Sequence, residues 1–164
     1  MMRDIVKELG YLTLGTRLKR LGERLQSQTQ VLLDAAGTDL PASYFPLLAA
    51  LERLGPTSVG DLTEAVGISQ PGITRALEKL QAAGWVRSVQ SVADRRVRSV
   101  ELSKTGRQLV SRSKRDAWPV IEAAVADACE GRAQTLLTAL AALEAALDAA
   151  PLSVRAERQR HESA

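Results

Sequence analysis

A mainly α-helical fold carrying one small β-hairpin is predicted by three features of the chain. Residues 57–80 read as two short helices around a tight turn. Residues 85–102 read as two strands joined by an arginine-rich tip. Leucines recur at helical spacing near both ends, as Leu14, Leu18, Leu21 and Leu25 and again as Leu136, Leu140, Leu143 and Leu147. A chain of 164 residues with 45% apolar and 25% charged content can bury one good core. Only 3% of residues are aromatic, so that core must be built from Leu, Val, Ile and Ala. A single cysteine excludes an internal disulfide. No apolar run reaches the ~18 residues of a membrane span, and the N-terminus lacks the pattern of a signal peptide. A cytoplasmic location without a membrane partner is therefore expected.

The first helix of the pair starts at Ser58, where Ser58 and Asp61 resemble a capping box with Asp in place of Glu or Gln. Val59, Leu62 and Val66 then share one face. Gly67 suits the left-handed conformation that ends a helix, and Ile68 is expected to turn back into the core. Ser69 is the expected N-cap of the second helix, and Pro71 falls in its first turn, where no N–H is required. Ile73, Leu77 and Leu80 form its buried stripe, while Gln70, Thr74, Arg75 and Lys79 form a polar, basic outer face. This is the layout of a helix-turn-helix, whose second helix reads base edges in the major groove. Gln can pair with adenine, Arg with guanine, and Thr can pack on a thymine methyl. Gly72, on the same turn, would let the helix approach the bases closely.

Gly84 ends the second helix, and 85–90 reads as a strand. Val97, Ser99, Val100 and Leu102 mark a return strand, with Ala93, Asp94, Arg95 and Arg96 at the tip between them, and Ser103 caps the next helix. Helix, helix, strand, basic tip and strand describe a winged helix. Residues 85–115 hold nine Lys/Arg against two acids, a net of +7 in a chain of +3, which leaves −4 elsewhere. Such asymmetry is the footprint expected for a polyanion, with a solvated charged face as the simpler alternative.

The run from Leu77 and Glu78 through Gly84, Trp85, Val86 and Arg87, then Asp94-Arg95-Arg96, then Val100-Glu101-Leu102-Ser103-Lys104-Thr105-Gly106, resembles the MarR family of bacterial transcriptional regulators. Leu-Ser stands where that family has Leu-Thr, a minor departure because Ser caps a helix as well as Thr does. The resemblance covers residues 9–149. It implies that Arg96 reaches into the minor groove with Asp94 orienting it, and that Arg95 and Arg98 contact the DNA backbone. Ser69, Gln70, Pro71, Gly72, Thr74, Arg75, Lys79 and Arg87 complete the expected DNA-facing set. It also implies that helices in 1–40 and 105–149 interlock two subunits around a winged helix-turn-helix at 42–104, ahead of a flexible polar tail at 150–164. From periodicity alone the leucine stripes could equally pack within one chain. A dimer would place two recognition helices about 34 Å apart and so favour a pseudo-palindromic operator.

Regulation is less marked in the residues. The resemblance implies an effector crevice, and Tyr11, Tyr44, Phe45 and Trp118 are candidates to line it, core packing being the ordinary role of such aromatics. The effector's identity is open. Pro46 fits the first turn of a helix starting near Ala42, and Pro119 should interrupt a long helix from Ser103 to about Glu130. Cys129, flanked by Asp127 and Glu130, is expected to be inert rather than a redox sensor. His161, the single histidine, lies in the tail. No Gly-rich phosphate loop, no Cys/His metal spacing and no nucleophile with a base can be found, so neither enzyme nor cofactor is expected. The chief rival to a DNA-binding homodimer is a winged helix that binds protein instead of DNA.

Overall fold

A computed structural model describes residues 3–38, 40–90 and 98–162. Among them are nine α-helices and three strands. In chain order these are α1 (Ile5–Glu8), α2 (Leu14–Ala35), α3 (Phe45–Leu54), β1 (Thr57–Ser58), α4 (Val59–Val66), α5 (Gln70–Ala82), β2 (Val86–Gln90), β3 (Arg98–Leu102), α6 (Lys104–Asp116), α7 (Trp118–Ala128), α8 (Ala133–Ala149) and α9 (Leu152–Glu162). The strands form one antiparallel sheet in the order β1-β3-β2, with Thr57 opposite Val100 and Arg87 opposite Glu101. None of the described helices is by itself long and apolar enough to cross a membrane.

The chain divides into two compact units, residues 1–121 and 122–164. The core of the first is aliphatic, as the composition requires. Leu33 and Leu40, Leu47, Leu48 and Leu51 of α3, Leu62 of α4, Ile73 and Leu80 of α5, and Val110 of α6 are all fully or almost fully buried. Val86, Val100 and Leu102 close it from the sheet, with Val86 and Leu102 paired across the strands. The helix-turn-helix is thus fixed on three sides by apolar contact rather than by its own short helices, which would be marginal alone.

Local chemistry sets the helix ends. Ser58 accepts the Asp61 amide at 3.1 Å, the N-cap bond the sequence indicates, but the Asp61 carboxylate accepts the Ser58 hydroxyl at 2.7 Å rather than the Ser58 amide that a full capping box would use. Ser58→Ala should lower the free energy of unfolding by about 1 kcal/mol, measurable by urea denaturation. Gly67 takes the left-handed conformation at φ 67°. Gly84 does so at φ 74°, and the Trp85 amide returns to the Leu80 carbonyl at 2.9 Å, a glycine-capped C-terminus for α5. Pro46 sits in the first turn of α3, which a 3-10 turn at Ala42–Tyr44 precedes.

Two local expectations need correcting, and one glycine has a further contact. Ile68 is 38% exposed instead of buried, its Cγ2 lying over Gly72 at the start of α5. Ser69 occupies the N-cap position of α5 without a side-chain hydrogen bond to the helix. Gly72 also serves the turn. A Cβ there would lie 2.9 Å from Ile68 Cγ2 and 3.3 Å from Ser69 Oγ, so its small size lets the turn close over it.

The second unit contains most of α7, then α8 and α9. Glu130 at φ 49° and Gly131 at φ 77° turn the chain from α7 into α8. The segment beyond Ala150, expected to be a flexible tail, is the helix α9 and carries His161. Arg155 secures its start by donating to the carbonyls of Ala150, at 2.8 Å, and Ala146. Leu136 and Leu147 of α8 remain exposed, and Leu140 and Leu143 are half-buried.

Candidate nucleic-acid interface

The candidate recognition surface is the side of α5 that the core does not use. Ile73, Leu77 and Leu80 are buried, which turns Gln70, Pro71, Thr74, Arg75, Glu78 and Lys79 outward. Gln70, Pro71, Thr74, Arg75 and Glu78 line a shallow open hollow. The side chains of Gln70, Arg75, Glu78 and Lys79 have no hydrogen-bond or ion-pair partner among the described residues, although Arg75 and Glu78 stand one turn apart. Their donors and acceptors are therefore available to a ligand. Glu78, absent from the expected DNA-facing set, shares this face. Its spacing of three and four from Arg75 and Thr74 was the signal that it shares their face.

The hairpin follows α5 directly in the chain. β2 and β3 pair from Val86 and Leu102 at the base to Gln90 and Arg98 at the outer end. Asp94, Arg95 and Arg96 lie outside the described residues, and of Arg98 only the backbone, the first position of β3, is described. Arg87 is exposed but engaged: its Nε donates to Glu101 Oε1 at 2.7 Å across the strands. That ion pair stiffens the hairpin and reduces what Arg87 can offer to a phosphate.

The base of the hairpin is locked to the start of α6. Ser103 caps α6 by accepting the Gly106 amide at 3.0 Å, and its own hydroxyl donates to the Gly84 carbonyl at 2.6 Å. Thr105 donates to the same carbonyl at 2.7 Å, and the Ser103 amide donates to the Trp85 carbonyl at 2.9 Å. Gly106 then passes directly over that Trp85 carbonyl. A Cβ on it would stand 1.9 Å from the oxygen, which explains why the Leu-Ser-x-x-Gly run ends in glycine.

The basic window of the sequence proves to be largely structural. Arg107 donates to the Leu102 carbonyl at 2.7 Å, Arg112 to the Gly37 carbonyl at 2.6 Å, and Lys114 pairs with Glu52 at 2.9 Å. Arg115 pairs with Asp116, whose carboxyl its hydrogen bond holds below the usual carboxylate range. With Arg87 on Glu101, five of the nine cations have intramolecular work. Lys104 is described without a partner, and the remaining three are Arg95, Arg96 and Arg98. The charge count over 85–115 therefore overstates what this window can offer a polyanion, since five of its cations are engaged within the fold.

The four aromatic candidates for an effector site do not form one wall. Phe45 is buried and meets Trp118 edge-on, with ring centroids 6.1 Å apart at 80°, as part of the core. Tyr44 packs partly against the same core, and Tyr11, in the 3-10 turn Gly10–Thr13, is 95% exposed. An open cleft of about 390 Å³ lies elsewhere, between Gly37 and Thr38 after α2, Trp85, and Thr105, Gln108, Leu109 and Arg112 of α6. Cys129 is half-buried just past the end of α7. No group of three or more His, Cys, Asp or Glu suited to a metal occurs among the described residues.

Residues 38–97 match the sequence profile of the MarR family. The HTH-type transcriptional regulator PecS of Dickeya dadantii (strain 3937) is 33% identical over 76 residues, 44% of this chain and 46% of PecS. The chain spans 46% and 65% of the lengths of the two curated relatives it matches. Among solved structures, BpsR of Bordetella bronchiseptica, whose DNA binding is regulated by 6-hydroxynicotinic acid, is 28% identical with a TM-score of 0.58, covering 67% of this chain and 77% of BpsR. The transcriptional repressor CouR, bound to a 23-mer DNA duplex, superposes with a TM-score of 0.70 at 23% identity over 83% of this chain and 96% of CouR. Over residues 38–97, which hold the helix-turn-helix and part of the hairpin, the chain is thus similar to the MarR family, and the mainly helical fold around them is that of winged-helix structures such as CouR and BpsR.

Proposed function

We propose that the chain is a sequence-specific DNA-binding transcriptional regulator, a repressor that acts as a homodimer on a pseudo-palindromic operator and is released by a small-molecule effector. The observation that carries the reading is the outward face of α5, where Gln70, Arg75 and Lys79 are exposed and unpartnered among the described residues. Unspent donors on a helix followed in the chain by a basic hairpin suit base edges and phosphates. The DNA-bound CouR and the regulated DNA binding of BpsR support the same reading. In it Arg96 enters the minor groove with Asp94 orienting it, and Arg95 and Arg98 hold the backbone.

The leucine stripes of α2 and α8 support the homodimer. Leu21 and Leu25 of α2 are 45% and 39% exposed, and Leu136 and Leu147 of α8 are 44% and 38% exposed. An effector releases such a dimer only by binding one separation of the two winged helices better than the other. The cleft beside Trp85 has the chemistry for a small amphipathic ligand, apolar at Trp85 and Leu109 and polar at Gln108 and Arg112.

Fluorescence anisotropy with a labelled fragment of the gene's own upstream region and a scrambled control, across a salt series, tests the reading. Tight, salt-sensitive preference for the native fragment is expected. Arg75→Ala should cost about 1–3 kcal/mol on the operator and relax base preference at one position, as loss of a bidentate guanine contact would. An equal loss on both fragments would move Arg75 from base reading to backbone contact. No sequence preference for any selected DNA would remove the regulator reading altogether and leave a winged helix that binds protein.

A further inference from the structure

The outward face of α5 is polar except at one spot. Pro71 and Thr74 stand three residues apart, so one helical turn brings them side by side, and both are exposed on the hollow that Gln70, Arg75 and Glu78 complete. The Thr74 side chain has two branches. Its hydroxyl donates to the Gln70 carbonyl at 3.0 Å, a bond within the helix. With its proton spent there the hydroxyl keeps only acceptor capacity, and the one apolar branch it leaves for a ligand is the methyl group. Beside it Pro71 presents ring methylenes and has no N–H. A small apolar spot therefore lies among the polar groups of Gln70, Arg75 and Glu78.

In the major groove one apolar group is displayed on a base edge, the C5 methyl of thymine. Cytosine has hydrogen at that position, and uracil is thymine without the methyl. 5-Methylcytosine carries the same methyl beside an amino group in place of the O4 acceptor. We infer that Thr74, backed by Pro71, selects its DNA at one pyrimidine by the 5-methyl group alone, so that 5-methylcytosine is accepted there in place of thymine. The inference rests on the DNA-reading function proposed above and names one of its specificity-determining contacts. It also makes binding responsive to cytosine methylation at that position.

The probe is the consensus duplex selected by the full-length protein from a random pool. Each thymine is replaced in turn by uracil, and the sensitive position is then rebuilt as cytosine and as 5-methylcytosine. Uracil should bind roughly 4-fold more weakly than thymine at that position, the worth of burying one methyl-sized group. 5-Methylcytosine should exceed cytosine by a similar factor. Thr74→Val should keep both ratios, because it retains a methyl and loses only a hydroxyl spent inside the helix. Thr74→Ser should abolish them. The reverse pattern, with Ser retaining the preference and Val losing it, would show that the hydroxyl leaves Gln70 to read the base, and would overturn the inference. So would tolerance of uracil at every position while other base preferences persist, an outcome that leaves the regulator standing. Failure to select any consensus would remove both.

Discussion

Gly106→Ala is expected to destabilise the protein by about 3 kcal/mol or more, well above the cost of an ordinary helix substitution. The position is α-helical, where alanine normally outperforms glycine. Here the added Cβ would stand 1.9 Å from the Trp85 carbonyl oxygen, a backbone atom that cannot swing aside. That oxygen already accepts from the Ser103 amide, and the adjacent Gly84 carbonyl takes the hydroxyls of Ser103 and Thr105. Relieving the clash means lifting α6 from the base of the hairpin and breaking this cluster. For a chain of this length the loss corresponds to a fall in melting temperature of roughly 6–12 °C. Gly15→Ala in α2 is the control. Its Cβ meets nothing within 4 Å, so that variant should match the wild type or gain up to about 1 kcal/mol. Equal melting temperatures for the two variants would mean that the junction at Trp85 is looser than its geometry indicates. Because the same junction ties the base of the hairpin to α6, Gly106→Ala should also weaken DNA binding at temperatures where the protein remains folded.

Elements whose cause is local could be read from the chain in advance. Ser58 and Asp61 are three residues apart, Gly67 closes the helix it ends, and the Ile73, Leu77 and Leu80 stripe fixes which side of α5 is free. The features that escaped are those set by partners far along the chain. Arg112 reaches a carbonyl 75 residues earlier and Lys114 a carboxylate 62 residues earlier, so a count of charges in a window could not separate cations committed to the fold from cations free for DNA. Gly72 also has neighbours, Ile68 and Ser69, that its place in the sequence does not announce. The helix α9 was missed because its polar sequence lacks an apolar stripe, and Arg155 capping the carbonyls of Ala146 and Ala150 is a contact that composition does not reveal. The aromatic set failed to gather for a related reason. Four residues that share a type share a wall only where the packing brings them together, and here it joined Phe45 to Trp118 while leaving Tyr11 in solvent.

Leu21→Glu combined with Leu25→Glu should turn the proposed dimer into a monomer and lower affinity for the full operator by about 10²–10⁴-fold, the avidity that linking two half-sites provides. The helix they occupy has 22 residues, of which Leu33 alone is buried. Leu21 and Leu25 lie two to three turns before that anchor and are open to solvent, so charges there leave the core of the first unit untouched. The double variant should therefore unfold at a denaturant midpoint set by the isolated chain, lower than the wild type only by the stability that association contributes. Its contacts with a single half-site should be unchanged, since every residue of α5 and the hairpin remains. Sedimentation and anisotropy read the two effects separately. A variant that sediments as a dimer would place the interface elsewhere, on α8 or α7. A monomeric variant with undiminished operator affinity would mean that one winged helix suffices, and the palindromic operator would fall together with the dimer.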